Sequence, residues 1–191
     1  MSERELALFP LSTVLFPEGR LALQIFEPRY LDLIKSSSRS GLPFGICAQH
    51  RSLDPTFSLV GCTANIVDFS VLENGLLGIE VVGRERFTVL STRCASDQLL
   101  IAKTAAIEPE PALPIPAEFG LLSTLVAGLM TRTGRSSVLD REHLDNASWL
   151  GFRLAEFLPL QLTQQQCLLE MRDPLLRLRT LLSWLPEQAQ Y

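Results

Sequence analysis

The sequence has little lysine and no concentration of positive charge. Lysine occurs only at Lys35 and Lys103, and the other basic residues are arginines scattered along the chain without a basic run. Binding of nucleic acid needs a concentrated positive surface to neutralise phosphates, whereas the formal net charge here is -4. The composition therefore argues against nucleic acid as a partner.

The cysteines and histidines do not form a metal-binding pattern. Zinc sites usually bring their ligands in close pairs such as Cys-x-x-Cys, and buried reduced cysteine is common in proteins. Here the cysteines are irregularly spaced and only two histidines accompany them: Cys47, Cys62, Cys94 and Cys167, with His50 and His143. We expect no metal site and no cofactor.

No stretch of the chain is apolar for long enough to cross a membrane. The longest uncharged apolar stretch, residues 119–130, is shorter than the roughly 20 residues that a membrane-spanning helix needs. The first nine residues carry mixed charge and lack the apolar core and cleavage site of a secretory signal. These features predict a cytoplasmic protein without a membrane span.

The chain also lacks the motifs that identify hydrolases and nucleotide-binding proteins. It has no Gly-x-x-x-x-Gly-Lys-Ser/Thr sequence and no nucleophile elbow. Lys35 precedes Ser36, but neighbouring residues on a helix point in different directions, so they do not form a serine–lysine pair. His50 is interpreted as a loop residue and His143 as a polar residue near a helix start, with a His143–aspartate pair as the alternative. We expect no catalytic residue.

A dense series of strand, turn and helix signals lies between residues 6 and 31. A short apolar strand at its start is predicted to end at Pro10. A turn follows at residues 16–19, where proline occupies the second position and glycine the fourth. Residues 21–25 are interpreted as a second, buried strand. A helix of about ten residues is predicted to begin at Pro28, because proline fits the first turn of a helix.

Alternation of apolar and polar residues predicts antiparallel strands between residues 57 and 107. The alternation places three apolar residues on one half-buried face: Val67, Phe69 and Val71. The pair Asn74-Gly75 predicts a two-residue type I′ hairpin, because both central residues of that turn need a positive φ. Gly83 is expected to mark a bend or a bulge.

The second part of the chain has helical spacing and follows a proline-rich segment. Residues 108–116 contain four of the twelve prolines, which predicts a stiff, extended connector. Beyond it, Asp145 is expected to cap one helix, residues 163–166 to form the capping box of another, and Asp173-Pro174 to begin the last. Leucines form the apolar stripe of that last helix, and Arg177 is predicted to point away from its centre.

These motifs, in this order, resemble the Lon substrate-binding (Lon N-terminal) domain family. The similarity starts with residues 6–31 and continues along nearly the whole chain, in Phe44-Gly45-Ile46, Val60 to Ala64, Gly83 to Phe87, Leu158-Pro159-Leu160, Gln166 and Asp173-Pro174. The resemblance implies an α+β fold in three parts. These are a β-rich, PUA-like pseudo-barrel with one helix over residues 1–108, a connector over 109–116, and an α-helical bundle over 117–191.

The resemblance also implies a role in holding polypeptides. Lon proteases join such a domain to an ATPase and a serine–lysine peptidase, whose motifs this sequence lacks. We predict a non-enzymatic module that binds unfolded or extended polypeptides, or a partner protein, in a groove between barrel and helices, and that holds clients for a separate protease or chaperone. The alternatives are an enzyme with an unrecognised small-molecule site and a self-associating module that forms a homodimer. RNA binding is a third hypothesis, but it rests on the PUA-like fold alone.

Six residues are predicted to contact the polypeptide: Phe16, Phe26, Arg29, Tyr30, Arg84 and Arg86. The two beside the helix start are also expected to be architectural, with Tyr30 largely buried and Arg29 paired to a carboxylate or a carbonyl. For Arg84 and Arg86, a solvated strand edge is the alternative to a groove.

Overall fold

The computed structural model describes residues 3–50, 56–133 and 141–185. Contacts between residues divide the chain into two units, Met1–Pro109 and Glu110–Tyr191. Strands make up most of the first unit and helices most of the second. The predicted α+β fold is therefore confirmed.

The described part of the first unit contains six strands and one helix. In chain order these elements are β1 (Glu3–Leu11), β2 (Arg20–Ile25), α1 (Pro28–Ser40), β3 (Phe44–Gln49), β4 (Phe57–Val71), β5 (Leu77–Cys94) and β6 (Leu100–Ala106). The strand order is β2-β5-β4-β3-β1-β6, and β6 also pairs with β5. Five strands thus close into a barrel, and β2 is an additional strand on the outer edge of β5.

The long strand β5 makes this arrangement possible. Its first part, from Leu77, pairs antiparallel with β2, and its last part, up to Cys94, pairs antiparallel with β6. Among the strands that the structure describes in the barrel, β1 and β3 are the one neighbouring pair that runs parallel. The core contains an aromatic and aliphatic cluster against α1, which includes Phe9, Tyr30 and Phe44.

Several local predictions for the first unit are confirmed. In the predicted turn, the Gly19 N–H donates to the Phe16 carbonyl at 2.9 Å. Helix α1 begins at Pro28 and ends at Ser40, three residues later than predicted. Between Gly83 and Arg86, β5 holds one residue more than the facing segment of β4, so the predicted bulge is present.

One prediction about where a strand ends and two predictions about strand burial are wrong. Strand β1 continues through Pro10 to Leu11, because β6 ends its pairing at Leu8 and leaves one side of β1 free, a position where strands tolerate proline. Strand β2 is only half-buried, as expected for an edge strand. Strand β4 no longer pairs with β3 beyond Ala64, so both faces of its last part reach solvent. The three residues that were predicted to be half-buried are therefore exposed: Val67, Phe69 and Val71.

The β4–β5 hairpin is present, but its turn is not a type I′ turn. The Gly75 N–H donates to the Leu72 carbonyl at 2.8 Å, and the Leu72 N–H donates to the Leu76 carbonyl at 2.9 Å. Gly75 has a φ of 80°, whereas Asn74 is not in the positive-φ region. The loop is one residue longer than predicted, so only its last residue needs a left-handed conformation.

We expect Gly75→Val to lower the free energy of unfolding by about 1 to 2 kcal/mol, because valine at positive φ is strained. A Cβ at this position meets no atom within 4 Å, so backbone strain is the main cost. Chemical denaturation should show the loss, and Glu73→Val in the same loop is the matched control. Equal midpoints for the two variants would contradict the assigned turn.

The described part of the second unit contains a short 3-10 turn and five helices. The turn covers Ala117–Phe119, and the helices are α2 (Gly120–Arg132), α3 (Arg141–Leu144), α4 (Ala147–Phe157), α5 (Leu162–Glu170) and α6 (Pro174–Trp184). None of the helices within the described residues is long and apolar enough to cross a membrane.

Two predicted helix caps are displaced and one is confirmed. Asn146, not Asp145, caps α4, and its Oδ1 accepts a hydrogen bond from Trp149 N at 3.1 Å. The capping box of α5 is formed by Gln161 with Gln164, two residues before the predicted one. The predicted start of α6 is correct, because Asp173 Oδ1 accepts from the second and third amides of the helix.

The prediction that Arg177 points away from the apolar stripe is wrong. Its side chain is fully buried, and Nη1 donates to Glu110 Oε2 at 2.8 Å. Nε donates to the Leu168 carbonyl at 2.9 Å, and the guanidinium lies 3.9 Å from the Phe152 ring centroid. Glu110, from the proline-rich segment, supplies the opposite charge that allows an arginine to occupy the core.

Candidate functional site

A pocket of about 530 Å³ lies at one end of the barrel unit. It is formed where β1 and β2 end, where α1 begins, and where β5 turns into β6. Apolar side chains make up much of its lining: Phe9, Leu11, Ile25, Phe26, Tyr30 and Leu100. Its volume is within the range of a few hundred to about 1,000 Å³ that is typical of binding sites.

A stack of three side chains forms one part of the lining. The rings of Phe9 and Tyr30 lie 3.9 Å apart at an interplanar angle of 14°. The Arg29 guanidinium lies 4.7 Å from the Tyr30 ring centroid, which is within the range of a cation–π contact. Tyr30 is 8% exposed, and burial raises the pKa of its hydroxyl. The positive charge of Arg29 lowers this pKa by a smaller amount, and the negative charge of Glu27 adds to the rise. The two rings are therefore largely buried, and a small part of each is exposed in the pocket.

Arg29 connects the start of α1 to the β5–β6 turn. Its Nε donates to Glu27 Oε2 at 2.9 Å, and its Nη1 donates to the Gln98 carbonyl at 3.1 Å. The prediction that Arg29 pairs with a carboxylate or a carbonyl is thus confirmed for both. Gln98 has a φ of 65°. Non-glycine residues in this region are uncommon and concentrate at functional sites.

Neutral polar groups and one exposed aromatic ring complete the lining. Gln24, Gln49 and Gln98 provide amide groups, and Glu27 and Arg29 are already paired with each other. Phe26 is 65% exposed, although it belongs to the lining. Such a surface is suited to apolar side chains together with the N–H and C=O groups of a peptide backbone.

A second pocket, of about 470 Å³, lies beside the bulge of β5. Its lining includes Glu18 from the turn before β2, Asn65 from β4 and Arg84 from the bulge. Glu18 has a φ of 59°, so each pocket contains one of the non-glycine residues with a positive φ. At the rim, Arg4 Nη2 donates to Glu85 at 2.8 Å.

The six predicted binding residues do not lie together. Phe26, Arg29 and Tyr30 line the first pocket, and Arg84 lines the second. Phe16 and Arg86 are 1% and 5% exposed, so neither side chain faces solvent. Phe16 is turned into the core by the tight turn at residues 16–19, and Arg86 lies at the inward-facing end of the β5 bulge.

Sequence reasoning missed Phe9 and Gln98 as lining residues. Phe9 belongs to the apolar strand predicted before Pro10. Gln98 follows Asp97, whose Oδ1 accepts a hydrogen bond from Leu99 N at 3.0 Å. An aspartate that accepts a hydrogen bond from the amide two residues later is a turn signal, and Asp97 is visible in the sequence as a residue of this type.

The histidines and cysteines lie outside the apolar part of the first pocket, except for the exposed thiol of Cys94 at its edge. His50 Nε2 and Ser58 Oγ are 2.7 Å apart, which is a hydrogen bond between the end of β3 and the start of β4.

Burial raises the pKa of Cys47 to about 12, so its thiol remains protonated near neutral pH. Among the described residues, no group of three or more potential ligands is placed to hold a metal ion. The aspartate at position 140, a predicted alternative partner of His143, lies outside the described residues.

We expect Tyr30→Ala to lower the free energy of unfolding by about 3 kcal/mol, because it removes a buried ring and leaves a cavity beside Phe9. Tyr30→Phe keeps the stack and should cost much less. Denaturation curves of the two variants test this. Unchanged stability of Tyr30→Ala together with loss of a bound polypeptide would assign Tyr30 to the binding surface alone.

Comparison with known proteins gives a consistent result over almost the whole chain. Residues 5–187 match the family model of the ATP-dependent protease La (LON) substrate-binding domain. The crystal structure of a Lon N-terminal domain protein from Xanthomonas campestris is 36% identical, with a TM-score of 0.80, over 96% of this chain and 99% of that one. The N-terminal domain of a Mycobacterium avium complex Lon protease shares the fold at 16% identity, with a TM-score of 0.68, over 95% of this chain and 97% of that one.

Proposed function

Because the chain belongs to the Lon substrate-binding domain family, we propose that it is a non-enzymatic module that binds extended segments of other polypeptides in the first pocket. The observation that carries this proposal is the position of Phe26. A large aromatic side chain that is 65% exposed gains stability when a ligand covers it, and Phe26 lines a pocket beside the Phe9–Tyr30 stack.

The polar groups of the pocket suit a peptide backbone better than a charged small molecule. Gln24 and Gln49 offer both donors and acceptors, whereas the Arg29 guanidinium already binds Glu27 and the Gln98 carbonyl. An extended segment with one large apolar side chain would bury that side chain against the aromatic stack. Its backbone would then bond to the amides at the rim.

The sequence supports a holding role without catalysis. It has neither a phosphate-binding loop nor a serine–lysine pair. The protein should therefore hydrolyse neither ATP nor unfolded casein, and clients would pass from it to a separate protease or chaperone in the cytoplasm. Turnover that persists through several columns and is lost on changing one residue of this chain would contradict this part of the proposal.

The test is fluorescence anisotropy with labelled apolar peptides, with and without the Phe26 ring. We expect micromolar binding, roughly -8 kcal/mol, for the unmodified protein. Phe26→Ala should weaken this binding by about tenfold or more, as for other central aromatic residues of interfaces. Phe69→Ala is the matched control, because Phe69 is also exposed but lies on the β4–β5 hairpin, away from the pocket lining.

Two outcomes would replace the proposal. Loss of binding in Phe69→Ala but not in Phe26→Ala would move the binding surface to the β4–β5 hairpin. A tight dimer in sedimentation experiments, with no peptide signal up to high micromolar concentration, would identify a self-associating module instead.

A further inference from the structure

The outer edge of β2 is an open strand edge. In the described part of the chain, β2 pairs with β5 alone and is the terminal strand of the sheet order. Its outward side chains, at Arg20, Ala22 and Gln24, are exposed. An uncovered edge of this kind accepts an extended peptide as an added strand, because its main-chain groups have no partner within the sheet.

The hydrogen bonds at the start of β2 show which groups face that edge. The Gly83 N–H donates to the Gly19 carbonyl at 2.8 Å, and the Glu18 N–H donates to the Gly83 carbonyl at 2.8 Å. Antiparallel pairs alternate between hydrogen-bonded and non-hydrogen-bonded residues. The alternation directs the main chain of Leu21 and Leu23 towards β5, and it leaves the N–H and C=O groups of Ala22 for a ligand.

The two pockets lie at the two ends of β2. Gln24 and Ile25, at the end of the strand, line the first pocket, and Glu18, just before its start, lines the second. The strand has six residues, which corresponds to about 20 Å at the usual rise per residue. One extended segment along the edge can therefore reach both pockets.

The second pocket offers an unpaired positive charge. Arg84 is exposed, and its side chain makes no hydrogen bond or ion pair with any other residue that the structure describes. The β5 bulge turns it outward, and the backbone of this bulge is held by Thr63, whose Oγ1 accepts from Glu85 N at 3.0 Å and donates to Glu85 O at 3.2 Å. Neighbouring Glu85 is already bound by Arg4. A planar guanidinium with free donors suits a carboxylate.

We infer that the bound polypeptide lies as an added strand along β2, with an apolar side chain in the first pocket and a carboxylate on Arg84 in the second. This inference rests on the proposed function and specifies its ligand. The carboxylate belongs to an acidic side chain or to the end of the polypeptide chain. The ligand class is thus an extended segment whose apolar and acidic groups are about six residues apart.

Ala22→Pro tests the strand addition, because proline removes an edge-facing N–H without removing a bond to β5. We expect a loss of affinity of about tenfold, as for a lost hydrogen bond together with impaired docking at the edge. Ala22→Val keeps the N–H and is the matched control. Peptides with N-methylated amides at alternate positions test the same contact on the unmodified protein, so the test does not depend on the folding of the proline variant.

Arg84→Gln tests the carboxylate contact. The peptides carry phenylalanine and aspartate at spacings of five, six and seven residues, in both orders, with aspartate replaced by asparagine in a second set. Arg84→Gln should lower the affinity for the aspartate peptides by about tenfold and leave the affinity for the asparagine peptides unchanged. Free and amidated C-termini distinguish a terminal carboxylate from a side-chain carboxylate, and Arg132→Gln on α2 is the control for charge alone.

The outcomes separate this inference from the proposed function. If Phe26→Ala abolishes binding, but Ala22→Pro, N-methylation of the peptide and Arg84→Gln have no effect, the pocket remains the binding site and strand addition is wrong. If no peptide binds the unmodified protein up to high micromolar concentration, the proposed function itself fails. A dimer that Ala22→Pro dissociates in the absence of peptide would show that a second copy of the chain occupies the edge, and it would overturn the inference.

Discussion

Replacing Arg177 by methionine is expected to lower the free energy of unfolding of the helical unit by about 4 kcal/mol, because Glu110 then remains buried without an opposite charge. The two side chains are 0% and 3% exposed, so water cannot replace the lost partner. The substitution also removes the donors to the Leu168 and Met171 carbonyls, at 2.9 Å and 2.6 Å. Each loss adds to the cost of the uncompensated carboxylate.

Chemical denaturation of three variants tests this expectation. Arg179→Met is the matched control, because Arg179 lies on the same helix but is 67% exposed. Its ion pair with Glu118 is long, with 3.7 Å between the nearest nitrogen and oxygen atoms. Its loss should cost less than about 1 kcal/mol. Combining Arg177→Met with Glu110→Leu should recover much of the stability, since a buried ion pair can be replaced by apolar side chains. Equal effects of Arg177→Met and Arg179→Met would contradict the importance of the pair.

Local signals that have a strict geometric meaning were predictable from the sequence. The turn at residues 16–19, the start of α1 at Pro28 and the start of α6 at Asp173 depend on proline, glycine and capping residues at fixed positions. Each follows from the conformational limits of one or two residues, so no distant part of the chain has to be known.

Features that depend on distant partners were not predictable in this way. Arg177 is buried because Glu110, 67 residues earlier in the chain, enters the same core. The apolar residues from Val67 onwards are exposed because β3 has already ended its pairing with β4 at Ala64. Alternation shows which face a residue shares with its neighbours, but it does not show whether another element covers that face.

The candidate site was predicted in part for the same reason. Phe26, Arg29 and Tyr30 are close in sequence and line one pocket. Phe9 and Gln98 reach that pocket from two other segments, through a ring stack and a carbonyl that only the folded chain brings to α1. A pocket built from four segments needs the strand order before its lining can be identified.

Replacing Gly83 by alanine is expected to lower the free energy of unfolding by about 4 kcal/mol, because the new methyl group would collide with backbone and break two hydrogen bonds. A Cβ at this position would lie 2.1 Å from the Phe16 carbonyl oxygen. That oxygen accepts the hydrogen bond that closes the turn at residues 16–19, and Gly83 itself bonds to Glu18 and Gly19. The collision cannot be relieved by a change of side-chain rotamer.

Gly128→Ala is the matched control, because a Cβ there meets no atom within 4 Å and the residue lies exposed in α2. That variant should be unchanged or up to about 1 kcal/mol more stable, since alanine is the better helix former. Gly83→Ala should also weaken the binding of peptides that contact Arg84, because the displaced turn moves Glu18 within the lining of the second pocket. Denaturation midpoints and peptide anisotropy measure the two effects. An unchanged midpoint for Gly83→Ala would show that the approach of the Phe16 carbonyl to β5 does not constrain the fold.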